Sequence, residues 1–339
     1  MQRRKPKKPR QGGVSFCRGS GQGISGVMNT ILYRPSLPES LQRVLRDDHG
    51  AVELPEASRA QMAFLQSEVQ NVEVLVTSGP RGADATLIAA LPALRAIVSF
   101  GVGVDAIDFH AARERGIHVS NTPDVLTDAV ADLAVALYLD LLRGVSAADR
   151  YVRRGDWGHE PRRALGHDAT GRRVGILGLG RIGRAIARRL QGFGCDIAYF
   201  SRSPREDVDF HYFDTPEKLA QAVEVLFITV AGGAETRDLV NRRVLEALGR
   251  GYLVNVSRGT VVDEDALIEA LEKGRLAGAA LDVFAREPRV PDALRKMDNV
   301  VLTPHMGSAT EETRVAMVDL ALANLRSFLE YGRLVTPVV

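Results

Sequence analysis

The sequence predicts an α/β protein built as two parallel-sheet units, and three features lead there. Its 339 residues are enough for about two domains. Short apolar runs of strand length alternate with helical patterns along most of the chain, the order expected of parallel strands joined by crossover helices. Two apolar stretches too long for strands, at residues 125–143 and 315–329, read as long helices that connect the units.

Taken in order, the runs in NTILYRP, EVLVTSG, AIVSFG and HVSNT are expected as short strands of the first unit. Residues 125–143 then repeat apolar side chains at helical spacing and form the first connecting helix. From residue 171 the pattern sharpens, with strands expected at 174–177, 197–200, 225–229, 253–256, 277–281 and 300–302, and a helix over 181–191. In the last helix Val315, Val318, Leu322, Leu325 and Leu329 recur at helical spacing, a stripe expected to face a core. That helix carries the chain back, so the first unit is expected to be discontinuous, residues 28–126 with 306–339, and the second to span 127–305. No short-period repeat suggests a solenoid.

Composition narrows the class. With 45% hydrophobic and 25% charged residues, the chain is of ordinary globular type. Two cysteines, Cys17 and Cys195, offer no disulfide framework, so the cytoplasm is the expected location, with Cys195 a small buried residue. Seven basic residues and no acid fall in residues 1–27, so against a net charge of +2 the remainder carries −5. The basic balance is therefore a property of that segment, and nothing in the remainder suggests a nucleic-acid partner. The segment is expected to be a disordered extension without function, with a nuclear address or polyanion patch in RRKPKKPR as the alternative. It has no apolar core of a signal peptide, and no run of about 18 apolar residues suggests a membrane partner.

The run VGILGLGRIGRAIA places Gly178, Gly180 and Gly183 directly after a strand and at a helix start. The first glycine allows a tight turn, the second lets backbone approach a pyrophosphate, and the third permits close helix–strand packing. With Leu179, Arg181 and Ile182 they form the expected dinucleotide loop, at a helix N-terminus whose free N–H groups favour phosphate. Where an NAD-binding chain places an acid for the ribose, the strand here runs into Ser201, Arg202 and Ser203. A guanidinium and two hydroxyls favour a 2′-phosphate, hence NADP(H), with NAD(H) also accepted if Arg202 is merely a solvated residue.

Three later motifs carry chemistry: VNVSRGTVVDEDAL with Arg258, AALDVFAREP with Glu287, and NVVLTPHMGSAT with His305. A guanidinium holds a carboxylate and polarises the neighbouring carbonyl, an imidazolium protonates the carbonyl oxygen, and a carboxylate keeps that imidazole charged and oriented. A structural salt bridge for Arg258 is the alternative, set aside because of its place in VNVSRG. Glycines 101 and 103 flank Val102, so that this backbone comes close to a ligand and offers the N–H groups of Val102 and Gly103. No HExxH, paired CxxC or GxSxG occurs, which leaves metalloenzyme and hydrolase readings without support.

Together with SFGVGVDAID (99–108), NTPDVLTDAVADLA (121–134), GRRVGILGLGRIGRAIA (171–187) and SRS (201–203), these motifs resemble the D-2-hydroxyacid dehydrogenases. Within them the chain is most similar to glyoxylate/hydroxypyruvate reductases and plant-type hydroxyphenylpyruvate reductases. The likeness implies two Rossmann/flavodoxin-like domains, joined by two long helices, with the active site in the cleft. It also implies His305 as acid/base supported by Glu287, and Arg258 with the Val102 and Gly103 amides on a substrate carboxylate. Asp282 would lie near the nicotinamide amide, with Thr229, Val256, His305 and Gly307 close to the dinucleotide. The implied reaction is NADPH-dependent reduction of glyoxylate or hydroxypyruvate. Reduction of an aromatic 2-oxo acid is the alternative, and a dinucleotide-sensing corepressor or scaffold the alternative of another class. A phosphoglycerate dehydrogenase is disfavoured because Val76, Thr77 and Ser78 offer no arginine for a phosphate. A homodimer is implied, with Trp157 at or near the two-fold interface. One departure stands out: ITVAGGAETRDLVN lacks the family's Pro-Leu pair, which puts the local loop shape in question.

Overall fold

The computed structural model describes residues 30–338 apart from 57, 68 and 160–163, so the basic segment 1–27 lies outside the described residues. Its strands form two sheets in which every pairing is parallel. The first contains β1 (Ile31–Tyr33), β2 (Val52–Glu53), β3 (Val74–Ser78), β4 (Ala96–Phe100) and β5 (His118–Ser120), in the order β2-β1-β3-β4-β5. The second contains β6 (Arg173–Leu177), β7 (Asp196–Phe200), β8 (His211–Phe213), β9 (Val225–Ile228), β10 (Tyr252–Asn255), β11 (Gly278–Leu281) and β12 (Val300–Leu302), in the order β12-β11-β10-β9-β6-β7-β8. Each order reverses direction once, between β1 and β3 and between β6 and β9. Open sheets leave a ligand crevice at the carboxyl ends of the strands that flank such a point.

Parallel strands are covered on both faces, which is why their sequences are continuous apolar runs rather than alternating ones. All five residues of β3 and of β4 are buried. The edge strands β2 and β8 were not expected from the sequence. They are two and three residues long and largely uncovered, and so lack the apolar run by which the others are recognised.

The first connecting helix, Thr127–Arg143, starts two residues later than expected and ends at Gly144 in the left-handed region, φ +61°. It packs along the helix Arg181–Gln191, from which Arg189 reaches back to Asp128 and Asp132 at 3.0 and 2.6 Å. The last helix, Glu311–Tyr331, is capped by the Thr310 hydroxyl, which accepts from the Thr313 N–H. Its buried face differs from the expected stripe: Val315 and Leu329 are exposed, and Met317, Ala321 and Phe328 join Val318, Leu322 and Leu325 in the core. A seven-residue step turns a straight helix short of full revolutions, so the contact face drifts off a stripe read at fixed spacing. This helix lies on β4, and buried Asn324 fastens the chain end by accepting from the Val335 and Thr336 N–H groups. The Thr336 hydroxyl donates in turn to the carbonyl of Asn121, beside β5.

Candidate active site

The crevice at the carboxyl end of β10 is shaped by Asn255. Its side-chain oxygen accepts from the Ser257 N–H and its amide donates to the Arg258 carbonyl, both at 3.0 Å, which turns the chain sharply after the strand. Arg258 is delivered there with its Nη1 donating to the Ser257 carbonyl at 2.9 Å. Its Nε donates to Asp105 Oδ1 at 3.0 Å, each side chain being 22% exposed. The reading that set a salt bridge aside is therefore corrected: Arg258 is ion-paired, because the loop after β4 brings Asp105 across the crevice. Since the pair occupies Nε, the Nη2 edge remains for a ligand.

That edge lies against the glycine loop of the first sheet. A Cβ on Gly79 would stand 2.8 Å from the Gly103 carbonyl, and one on Gly103 would stand 1.4 Å from Arg258 Nη2 and displace the guanidinium from this position. Among the described residues the N–H groups of Val102 and Gly103 donate to nothing, while the Val102 carbonyl is held by Asn121 at 2.8 Å. A cation edge and two free amides thus stand together, the donor set a carboxylate requires. The departure at residues 231–233 is accommodated here too: a Cβ on Gly232 would lie 2.6 Å from Arg258 Cγ, so the loop backbone packs directly on the arginine stem.

His305 Nδ1 and Glu287 Oε2 are 2.7 Å apart, their side chains 33% and 29% exposed. Glu287 also accepts from the Phe284 N–H at 3.1 Å. Burial pushes its carboxyl upward, but His305, the Phe284 amide and the charge of Arg258 together hold it below the usual carboxylate range. The carboxylate is thus kept ionised beside the imidazole. His305 itself has a left-handed backbone, φ +53°, a conformation that a non-glycine residue keeps only when its surroundings enforce it.

Asp282 enforces it. Nearly fully buried at the end of β11, its carboxylate accepts from the Thr303 hydroxyl at 2.7 Å and from the Met306 and Gly307 N–H groups at 2.8 and 2.9 Å. Its carbonyl accepts from the His305 N–H at 2.8 Å. The sequence reading gave Asp282 to the nicotinamide; within the chain its carboxylate is committed to holding the histidine turn.

At the switch point between β6 and β9 the three glycines do different work. A Cβ on Gly178 (φ +105°) would lie 2.8 Å from the Val230 nitrogen, and one on Gly183 would lie 2.3 Å from the Gly178 carbonyl. A Cβ on Gly180 would meet nothing within 4 Å. Gly178 and Gly183 are fixed by packing, whereas Gly180 faces the open space a pyrophosphate needs, so these residues fit a dinucleotide. Thr229 Oγ1 donates to the Gly178 carbonyl at 2.6 Å and steadies the turn. Leu179 is buried and Ile182 packs on the core, so both serve the loop through their backbone, and Val256 is likewise buried. Arg181 pairs with Asp124 of the first connecting segment at 2.7 Å. Of the proposed 2′-phosphate group, Arg202 and Ser203 are exposed and Arg202 has no partner among the described residues. Ser201 is buried, its hydroxyl donating to the Ser203 carbonyl at 2.5 Å, so its proton is already used.

Sequence reasoning missed Asp105 as the partner of Arg258, Asp124 as the partner of Arg181, and the close packing at Gly79 and Gly232. Asp105 stood within a quoted motif, but its partner is 153 residues away, and no local pattern announces such a pair.

The model of the D-isomer specific 2-hydroxyacid dehydrogenase NAD binding domain matches residues 135–307. A hydroxyphenylpyruvate reductase of Plectranthus scutellarioides is 47% identical over 281 residues, 83% of this chain and 90% of that one. A glyoxylate/hydroxypyruvate reductase A of Arabidopsis thaliana is 48% identical over 277 residues, 81% and 88% of the two chains. The crystal structure of an NADPH-dependent glyoxylate/hydroxypyruvate reductase from Sinorhizobium meliloti, in complex with NADP and malonate, superposes with a TM-score of 0.86 at 42% identity, covering 92% of this chain and 97% of that one.

Proposed function

The chain belongs to the D-isomer specific 2-hydroxyacid dehydrogenase family, and on that premise we propose that it reduces glyoxylate or hydroxypyruvate with NADPH. The observation that carries the reading is the 2.7 Å Glu287–His305 pair standing within the field of Arg258. With Nδ1 bonded to Glu287, the Nε2 of His305 is the nitrogen left to face a substrate. Arg258 Nη2 and the Val102 and Gly103 amides hold the substrate carboxylate. His305 gives its Nε2 proton to the carbonyl oxygen as that oxygen gains charge, and is left neutral; Glu287 lowers the cost of the charged imidazole beforehand. A reduced dinucleotide on the Gly178–Gly180–Gly183 loop supplies the hydride when bound.

The 28–126 and 306–339 segments are taken as the substrate unit and 127–305 as the dinucleotide unit, the chain working as a cytoplasmic homodimer. Support for these finer points is the return of the last helix to β4, the exposed apolar arm after residue 144, and buried, free Cys195. Among the described residues no helix is long and apolar enough to cross a membrane. The test is an NADPH-oxidation assay across glyoxylate, hydroxypyruvate, hydroxyphenylpyruvate and pyruvate, repeated with NADH. Turnover of the small acids, faster with NADPH, is expected. Absence of turnover with every 2-oxo acid refutes the reading.

A further inference from the structure

Parallel pairing of β1 with β3 sets Tyr33 opposite Val76, so the residues that follow both strands emerge side by side at the carboxyl edge of the first sheet. There the Ser36 and Ser78 hydroxyls lie 3.1 Å apart, and Arg34 Nε donates to the Gly82 carbonyl at 3.2 Å. Arg34 is only partly exposed, yet its two terminal nitrogens have no partner among the described residues. Arg81, from the turn 78–82, stands near enough to repel it and is itself paired with Glu56 at 3.5 Å, while Asp84 is occupied in capping the next helix. Burial and that repulsion lower the Arg34 guanidinium from its usual range, and the charges of Asp84 and Glu56 offset this only in part.

This corner adjoins the carboxylate end of the site. Gly79 follows Ser78 directly, and its Cβ position lies 3.7 Å from Arg258 Nη2. β3 itself carries no arginine at Val76, Thr77 and Ser78, but the neighbouring strand brings Arg34 and the turn brings Arg81. An aromatic substituent seated here would cover the two terminal nitrogens of Arg34 without satisfying them, at the cost of burying polar groups.

We propose that Ser36, Ser78, Arg34 and Arg81 receive the C3 substituent of the substrate and select an oxygen-bearing tail, hydroxyl or anionic, over an aromatic one. The inference rests on the reading of the crevice as a 2-oxo acid reductase site, and glyoxylate, which has no C3, separates the two. Steady-state kinetics with NADPH are measured on glyoxylate, hydroxypyruvate, 3-phosphohydroxypyruvate and phenylpyruvate for the wild type, Arg34→Met and Ser36→Ala. The wild type is expected to favour the oxygen-bearing acids over phenylpyruvate. Arg34→Met should lower kcat/KM for them by about tenfold while leaving glyoxylate within about twofold, the loss of one charge-assisted hydrogen bond. Ser36→Ala, at an exposed position that does not threaten folding, should shift the same ratio in the same direction by less. A larger loss for the phosphorylated acid than for hydroxypyruvate identifies the tail as anionic, and the reverse as hydroxyl. Calorimetric titration of the cofactor-free protein with glycolate and D-glycerate should show weaker binding in Arg34→Met for D-glycerate alone. Equal losses on glyoxylate and the tailed acids, or wild-type preference for phenylpyruvate, overturn the proposal. A wild type inert towards glyoxylate and all the others overturns the reductase reading with it.

Discussion

The His305–Glu287 pair divides the labour of proton transfer between two side chains, and substitution of each reports a different part. His305→Gln is expected to bind dinucleotide normally and to lose turnover by roughly 10² to 10⁴, the usual worth of a general acid; near-normal turnover would sink its assignment. Glu287→Gln should instead lower kcat for ketone reduction by less than His305→Gln does while leaving dinucleotide binding unchanged, because the imidazole keeps a hydrogen-bond partner but loses its anionic neighbour. A carboxyl held below its ordinary range contributes stability above the unfolded value and loses it as pH falls through the folded one, so in the wild type the pair persists into mildly acid solution. Wild-type turnover in Glu287→Gln would remove Glu287 from the mechanism. Arg202, exposed and without a partner among the described residues, is tested by the cofactor alone. Arg202→Ala should raise KM for NADPH by roughly tenfold to 150-fold, the range of a hydrogen bond to a charged group, and leave NADH nearly unchanged. Equal losses with both cofactors would mean that Arg202 does not meet the 2′-phosphate.

At the scale of elements, the turn after β6 gives two glycines opposite roles that one pair of variants distinguishes. Gly183→Ala drives a Cβ to 2.3 Å from the Gly178 carbonyl, so it should destabilise the fold by about 1–3 kcal/mol, as overpacking does. Gly180→Ala meets nothing within 4 Å and should change stability by less than about 0.5 kcal/mol while raising KM for NADPH, because its methyl takes the phosphate's place. Thermal unfolding beside cofactor titration reads both, and a stable Gly183→Ala that binds NADPH normally would contradict this division. The motif's spacing made these roles legible in the sequence, as it did most buried strands, because a covered parallel strand must be apolar at every position. What was not legible shares another property. The Arg258–Asp105 pair, the commitment of Asp282 to the His305 turn, and the meeting of Ser36 with Ser78 all join residues that are adjacent only after sheet order is set. Edge strands β2 and β8 escaped for the converse reason, since neither needs an apolar pattern to pair on one side.

Among the described residues two ion pairs cross the crevice, Arg258–Asp105 and Arg181–Asp124, beside the substrate and pyrophosphate positions. They leave unexplained the arm that follows Gly144. Its helix, Val145–Arg153, buries none of its residues. Trp157 is 78% exposed, Leu165 is 96% exposed, and Val145 and Val152 are exposed with them. Scattered apolar residues on a surface need no explanation, but four exposed ones between Val145 and Leu165, one of them the chain's only tryptophan, are of the kind that anchors an interface. A second copy is the partner expected, since a two-fold axis lets the same arm serve both chains. Light scattering at micromolar concentration should therefore give about twice the 36.8 kDa of one chain. Because Trp157 is the sole indole, its fluorescence reads the same event: emission should be that of a covered ring in the wild type and shift to the red in Leu165→Asp, which places an unpaired carboxylate in the contact. That variant should elute as a monomer with its fold intact, since Leu165 contributes nothing to the core of its own chain. A wild type of single-chain mass with fully solvated emission would leave the arm without a partner and overturn the dimer.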